Sequence, residues 1–131
     1  MKANHKLVLA VLIGTVIGIA GAAVIHARQV KVAPAYVIAE VEVTDPATFQ
    51  KYSDKVAGTL APFNGHYLVR GGKLLSLEGE GEAPKRFVVI AFDSVEKAKG
   101  WEDSPAYSAI KPIRHKSAKS RVFIAEGIAP Q

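Results

Sequence analysis

The segment Arg86–Phe92 is apolar on both of its faces, and it constrains the fold more than any other feature of the chain. Successive side chains of a strand point to opposite sides of the sheet. The two faces consist of Phe87, Val89 and Ala91 on one side and of Val88, Ile90 and Phe92 on the other. Such a strand is expected where neither side meets water. In a chain of 131 residues, helices can cover one side, so the sequence predicts that a second copy covers the other.

The other periodic segments alternate between strands and helices. Strands are predicted over Tyr36–Val43, His66–Arg70, Arg86–Phe92 and Arg121–Glu126. A helix should begin at Pro46 after the capping residue Asp45, and a second helical stretch is interrupted at Ser104-Pro105. This order predicts an α+β, ferredoxin-like βαββαβ sandwich in which an antiparallel four-stranded sheet carries two helices on one face. In a homodimer, the two sheets would pack face to face.

The N-terminal region indicates export. Leu7 to Ile25 is a run of 19 uncharged residues preceded by basic residues, and it reads either as a signal peptide or as a membrane-anchoring hydrophobic helix. The small residues 20–23 offer a cleavage site, as does the region near His26-Ala27. The predicted organisation is a signal peptide or anchor over 1–27, a linker over 28–34, the folded domain over 35–128 and a tail over 129–131. The domain would lie in the periplasm, and only residues 7–25 would contact a membrane, if they are not cleaved.

The distribution of charge argues against nucleic-acid binding. The formal net charge is +5, but residues 1–33 contain four basic residues and no acidic one, which leaves 13 basic and 12 acidic residues in the remainder. A nearly neutral domain lacks the basic surface that phosphate backbones require. The chain also has no cysteine, which excludes disulfides, thiolate metal sites and a cysteine nucleophile.

Several short motifs together resemble the domain of unknown function 1330 family. They are Ala35-Tyr36-Val37, Val43-Thr44-Asp45-Pro46, the segment from Phe63 to Arg70-Gly71-Gly72, Phe92-x-Ser94 and Trp101-x-x-Ser104-Pro105-x-Tyr107. The resemblance covers Ala35 to about Ile128 and implies membership of the dimeric α+β barrel superfamily. It implies a homodimer that encloses a pocket between the sheet and the partner subunit. Relatives in that superfamily include cofactor-independent monooxygenases, isomerases and binding proteins, so the resemblance predicts fold rather than function.

Glu40 is a candidate catalytic residue on the first strand. It shares a strand face with Tyr36, a candidate ligand-binding residue, and should point into the barrel. There its carboxylate would lose water and could act as a general base with a raised pKa. The alternative is an ion-paired position at the rim of the dimer.

His66 and Arg70 are predicted to share a face of the second strand with Leu68. Together with Glu40 they could bind a small acid or orient an enol. Alternatively they form a polar dimer rim, with Arg70 pairing with the acidic loop Glu80–Glu82. Gly71-Gly72 is interpreted as a turn, because nothing around it resembles a phosphate-binding loop.

Trp101 and Tyr107 complete the candidate ligand-binding set. Trp101 lies at helical spacing from Val95 and Ala98, so it belongs either to the core or to a pocket wall. Tyr107 could donate its hydroxyl into a pocket or anchor the helix break. Farther along, Arg114, His115, Lys116 and Lys119 are predicted to form a solvated, basic helix end.

No metal or cofactor is predicted, since His115 has no second ligand at metal-binding spacing. Three functions therefore stay open. The first is an exported homodimer that binds a small molecule. The second is a cofactor-independent enzyme of the monooxygenase or isomerase type that acts on a small oxygenated ligand. The third is a membrane-tethered, non-catalytic interaction module.

Overall fold

The structure of the chain is a computed structural model that describes residues 30–131. Four strands, β1 (Ala35–Val43), β2 (His66–Arg70), β3 (Arg86–Phe92) and β4 (Ala118–Glu126), form one antiparallel sheet in the order β2-β3-β1-β4. The helices are α1 (Pro46–Leu60), which runs into a short 3₁₀ turn over Ala61–Phe63, α2 (Val95–Glu102) and α3 (Pro105–Ser117). This is the predicted ferredoxin-like arrangement. The strand β4 begins three residues before its predicted start at Arg121.

The helices begin where the sequence supplies a side-chain cap. Asp45 accepts a hydrogen bond from the Thr48 amide at 3.2 Å, and this contact also lowers the pKa of the Asp45 carboxyl. Ser94 caps α2 through the Lys97 amide, and Ser104 caps α3 through the Tyr107 amide. Pro46 and Pro105 follow two of these caps at the first helical position, where a missing N–H costs nothing.

The two faces of the sheet differ in what they contact. The helix-side face carries Val37, Ala39 and Val41 of β1, which pack against the helices, and the residues paired with them. The open face carries Tyr36, Ile38, Glu40 and Glu42 of β1 and the residues paired with those. These partners include Phe87, Val89 and Ala91 of β3 and Arg121 and Phe123 of β4.

A β-bulge in β2 overturns the prediction that His66, Leu68 and Arg70 share one face. The register between β2 and β3 shifts between Tyr67 and Val69, so the side-chain alternation is displaced by one residue. His66 pairs with Ala91 on the open face, whereas Arg70 pairs with Val88 on the helix-side face. Leu68, at the bulge, is 56% exposed.

The predicted solvated helix end is wrong for one of its residues. Arg114 is only 6% exposed, because it follows Tyr107 and Ile110 along the buried stripe of α3. The prediction of a signal peptide or hydrophobic helix over residues 1–27 lies outside the described residues. Within residues 30–131, no helix is both long enough and apolar enough to span a bilayer.

Candidate functional site

A small cavity lies between the helices and the helix-side face of the sheet. Its volume is about 40 Å³, and its walls come from β1, β3, β4, α1 and α3 together with Tyr67 and Arg70 of β2 and Trp101 of α2. A water molecule needs roughly 10–15 Å³ of such space, so the cavity has room for a group of a few heavy atoms. A whole drug-sized ligand would need a pocket of roughly 300 Å³ or more.

Three arginines line this cavity: Arg70, Arg86 and Arg114. The guanidinium of each lies over an aromatic ring that is also part of the wall. The distances from Cζ to the ring centroid are 4.6 Å for Arg70 over Tyr67, 5.5 Å for Arg86 over Phe49 and 6.0 Å for Arg114 over Tyr52. The negative faces of these rings stabilise the cations without neutralising them.

The positive charge of these arginines is not matched by nearby acids. Arg70 donates to the backbone oxygen of Ser53 at 3.0 Å, and Arg114 donates to the Ser120 hydroxyl. The ion pairs within residues 30–131 join Lys85 to Glu42, Lys111 to Glu102 and Arg121 to Glu40. No described carboxylate therefore pairs with the cavity arginines.

Two buried nitrogen atoms of these arginines also lack hydrogen-bond partners. They are Nε of Arg86 and Nε of Arg114, and both belong to side chains that line the cavity. A buried donor without an acceptor costs about 1–3 kcal/mol, and more when it is charged. Both guanidinium groups therefore carry a buried donor without an acceptor beside the cavity.

Hydroxyl groups form a second polar feature of the wall. The Tyr52 and Tyr107 hydroxyl oxygens are 2.9 Å apart, and Trp101 Nε1 donates to Thr59 Oγ1 at 2.9 Å. The Trp101 and Tyr107 rings are close, with centroids 3.9 Å apart. Burial raises the pKa of Tyr52 well above its usual range, and burial also raises the pKa of Tyr67. Both tyrosines therefore stay neutral and act as hydrogen-bond donors or acceptors near pH 7.

Gly71, which follows Arg70 in the chain, makes space for the Arg86 side chain. Its φ is +68°, and a Cβ placed on it would lie 2.6 Å from Arg86 Nη1 and 2.9 Å from Arg86 Cζ. Its amide donates to the Phe87 oxygen at 2.9 Å, which fixes the turn against β3. The Arg70-Gly71 pair is thus more than a turn, because both residues shape the cavity wall.

The structure divides the six predicted site residues between the two faces of the sheet. Arg70, Trp101 and Tyr107 line the helix-side cavity. Tyr36, Glu40 and His66 lie on the open face, so they cannot join the other three in one site. The predicted set of Glu40, His66 and Arg70 is not brought together.

Glu40 forms an ion pair, as the alternative interpretation of this residue expected. Its Oε2 accepts from Arg121 Nε at 2.9 Å and lies 2.8 Å from Arg121 Nη2. Both residues line an open groove of about 600 Å³ at the end of β1 and β4, together with the chain segment Glu82–Lys85. This groove mixes charges of both signs, in contrast to the cavity.

Sequence reasoning missed Tyr52, Tyr67, Arg86 and Arg114 as parts of a site. Tyr52 lies on the buried face of α1. The signals were nevertheless present: Arg86 is two and four residues before Val88 and Ile90, and Arg114 is four residues after Ile110. These spacings place both arginines on buried faces. A basic residue at such a position is the unusual observation that identifies the cavity.

The described residues of the cavity wall include no aspartate, glutamate or histidine. Across residues 30–131, no three acidic or histidine side chains are grouped closely enough to hold a metal ion. The arrangement can therefore donate hydrogen bonds and stabilise negative charge. It offers no group of its own that is basic near pH 7.

Comparison with known proteins identifies the family. The family described as Domain of unknown function (DUF1330) matches residues 34–128, which is most of the chain, and this protein belongs to it. No curated protein matches the chain significantly.

Solved structures share the fold at low identity. A protein of unknown function from Rhodopseudomonas palustris is 13% identical with a TM-score of 0.60, and the match covers 98% of this chain and 97% of that one. SnoaB from Streptomyces nogalater, a cofactor-independent oxygenase, is 15% identical with a TM-score of 0.51, and the match covers 76% of this chain and 95% of that one. These similarities establish the α+β fold.

Proposed function

We propose that this protein is an exported homodimer that binds a small molecule in the helix-side cavity of each protomer. The observation that carries the proposal is the accumulation of Arg70, Arg86 and Arg114 around one cavity whose wall, among the described residues, contains no acid. Buried charges are normally paired, because removing a lone ion from water is costly. A bound ligand would supply the missing partner.

The cavity as it stands fits part of a ligand. Of the three arginines, Arg70 is exposed, and its contact with the Ser53 oxygen bridges β2 and α1 beside the cavity. A ligand larger than a few heavy atoms would place its polar end inside and extend past Arg70. The pocket predicted between the sheet and a partner subunit stays a prediction, since it would lie on the opposite side of the sheet.

The homodimer is supported by the composition of the open face. Ile38, Phe87, Val89 and Phe123 form its apolar centre, and Phe123 is 46% exposed in the protomer. A second copy placed on this face would cover these side chains and leave the Glu40–Arg121 pair toward the rim. Export is supported by the uncharged run from Leu7 to Ile25.

Binding is favoured over catalysis because the cavity wall offers no general base. Proton abstraction needs a group whose pKa lies near the working pH. Tyr52 and Tyr67 have raised pKa values, and a guanidinium has no acceptor for a proton. A ligand would therefore be held and oriented rather than deprotonated.

A cofactor-independent oxygenase is the second candidate. The guanidinium and hydroxyl donors that would hold an anion would also stabilise an enolate formed from an acidic substrate. The fold is similar to that of SnoaB, which is named as such an oxygenase. Consumption of dissolved oxygen in the presence of a bound ligand would favour this candidate.

Native mass spectrometry of the full-length protein, recovered from the envelope of its own host, tests the proposal. For the wild type we expect the mass of a dimer with one small ligand per protomer. The Arg86→Met variant should retain no ligand. A ligand-free monomer would contradict both halves of the proposal. A ligand-free dimer would instead favour the interaction module.

A further inference from the structure

We propose that the group bound in the cavity is a small carboxylate, held as the counterion of Arg86 and Arg114. This inference rests on the proposed function and adds to it the chemical class of the ligand. The ligand is either a short monocarboxylic acid or the carboxylate end of a longer molecule.

Burial provides the first argument. Arg114 is 6% exposed, and its Nε has no hydrogen-bond partner, although Nη1 donates to Ser120. The Nε atom of Arg86 is likewise buried and unpartnered. Two charged side chains that line one cavity, each with an unpartnered donor and no described acid beside it, favour an acceptor that carries negative charge.

Placement provides the second argument. Val41 of β1 pairs with Arg86 on one side and with Ser120, the acceptor of Arg114, on the other. The rings under the two guanidinium groups, Phe49 and Tyr52, have centroids 5.5 Å apart. Both arginines line the same small cavity, of about 40 Å³.

Size favours one class of anion. The cavity, at about 40 Å³, suits a compact group, since a single water needs roughly 10–15 Å³ of such space. The planar fork of a guanidinium can hold either a carboxylate or a phosphate, so shape alone does not select between them. A tetrahedral phosphate or sulfate has five heavy atoms and is bulkier than a carboxylate.

Gly71 is a positioning residue for this site. A side chain on Gly71 would occupy the space of the Arg86 guanidinium, with Nη1 only 2.6 Å from the added Cβ. Gly79 provides a control, because its φ of +96° also strains a side chain and no atom lies within 4 Å of its added Cβ.

The test is a titration of the full-length protein with acetate, acetamide and inorganic phosphate at constant ionic strength. Trp101, the only tryptophan of the chain, lines the cavity and reports binding by fluorescence. Acetate should change the emission, whereas acetamide, which has the same number of heavy atoms and no charge, should bind at least about tenfold more weakly. Equal binding of acetamide, or tighter binding of phosphate, would overturn the carboxylate assignment.

Variants separate this inference from general loss of structure. Arg86→Met and Gly71→Ala should each weaken acetate binding about tenfold or more, while Gly79→Ala should bind acetate like the wild type. Thermal melting of each variant confirms that it is folded. Unchanged acetate binding in folded Arg86→Met would refute the inference. A neutral ligand found by native mass spectrometry, with no response to acetate, would refute it and leave the proposed function intact.

Discussion

The two faces of the sheet both carry arginines, and they differ in how those arginines are paired. On the open face, Arg121 lies against the Glu40 carboxylate, and its side chain is 76% exposed. On the helix-side face, Arg86 and Arg114 contact aromatic rings and hydroxyls, and no described carboxylate pairs with them. A paired, exposed charge contributes little to stability, whereas an unpaired, buried charge is costly unless a counterion joins it. The lack of an acidic partner therefore distinguishes the candidate site.

The largest effect is expected for Trp101→Ala, which removes the central side chain of the helix-side core. Trp101 is 1% exposed and contacts the Phe92 and Tyr107 rings. Its truncation should lower the free energy of unfolding by about 3–5 kcal/mol, measured by urea denaturation. Leu77→Ala, at a 96% exposed residue, is the control and should change it by less than about 0.5 kcal/mol. A small effect at Trp101 would mean that the helix-side face is not the main core.

The second-largest effect is expected for Phe123→Asp, a variant that tests whether the open face is the dimer interface. Phe123→Asp places a charge in the apolar centre of that face, so it should weaken dimerisation at least about 100-fold, or about 2.7 kcal/mol. Sedimentation analysis at several concentrations measures this change. Leu77→Asp is the matched control, since Leu77 is exposed but lies in the chain segment between β2 and β3. If Phe123→Asp remains as dimeric as the control, the open face is not the interface.

The third effect concerns alkaline pH. The pKa of Tyr52 is raised in the folded state, so the folded protein holds this proton more tightly than the unfolded chain, whose tyrosines titrate near pH 10. Below about pH 10, Tyr52 is neutral in both states and its contribution to the free energy of unfolding is complete. Above that pH, ionisation of Tyr52 in the unfolded chain should lower the free energy of unfolding by about 1.4 kcal/mol per pH unit. Urea denaturation between pH 9 and pH 11 should show a shallower decline for Tyr52→Phe. Parallel declines would show that Tyr52 is not protected from ionisation.

The smallest effect is expected at the open-face ion pair. Glu40→Gln should change the free energy of unfolding by less than about 1 kcal/mol, because Arg121 remains hydrated. It should also leave ligand retention unchanged, as judged by native mass spectrometry. Loss of the ligand in Glu40→Gln would show that Glu40 contributes to the binding site. That result would contradict the claim that the ligand binds only on the helix-side face.

The fold could be predicted from the sequence because its signals are local. The helix starts at Asp45-Pro46 and Ser104-Pro105 depend on neighbouring residues, and each predicted the correct element. The apolar β3 likewise predicted a strand covered by helices on one face. That a partner subunit covers the other face of β3 remains a prediction.

The site was predicted only in part because it depends on long-range placement. The bulge in β2 places the Arg70 side chain on the opposite face of the sheet from His66. The residues His66–Arg70 contain no sequence signal that predicts this bulge. Arg114 was assigned to solvent because basic residues are common at helix ends, although helical spacing placed it on the buried stripe. Trp101 is buried in the core and also lines the cavity, and its role in ligand binding stays a prediction.

The most direct test of the account is the position of an anion in crystals soaked with bromide, located by its anomalous scattering. Bromide is a compact monovalent anion that fits a cavity of about 40 Å³. The account predicts a bromide on the helix side of the sheet, beside Arg86 and Arg114. Bromide bound only at Arg121 or elsewhere on the open face, with the cavity empty, would contradict it.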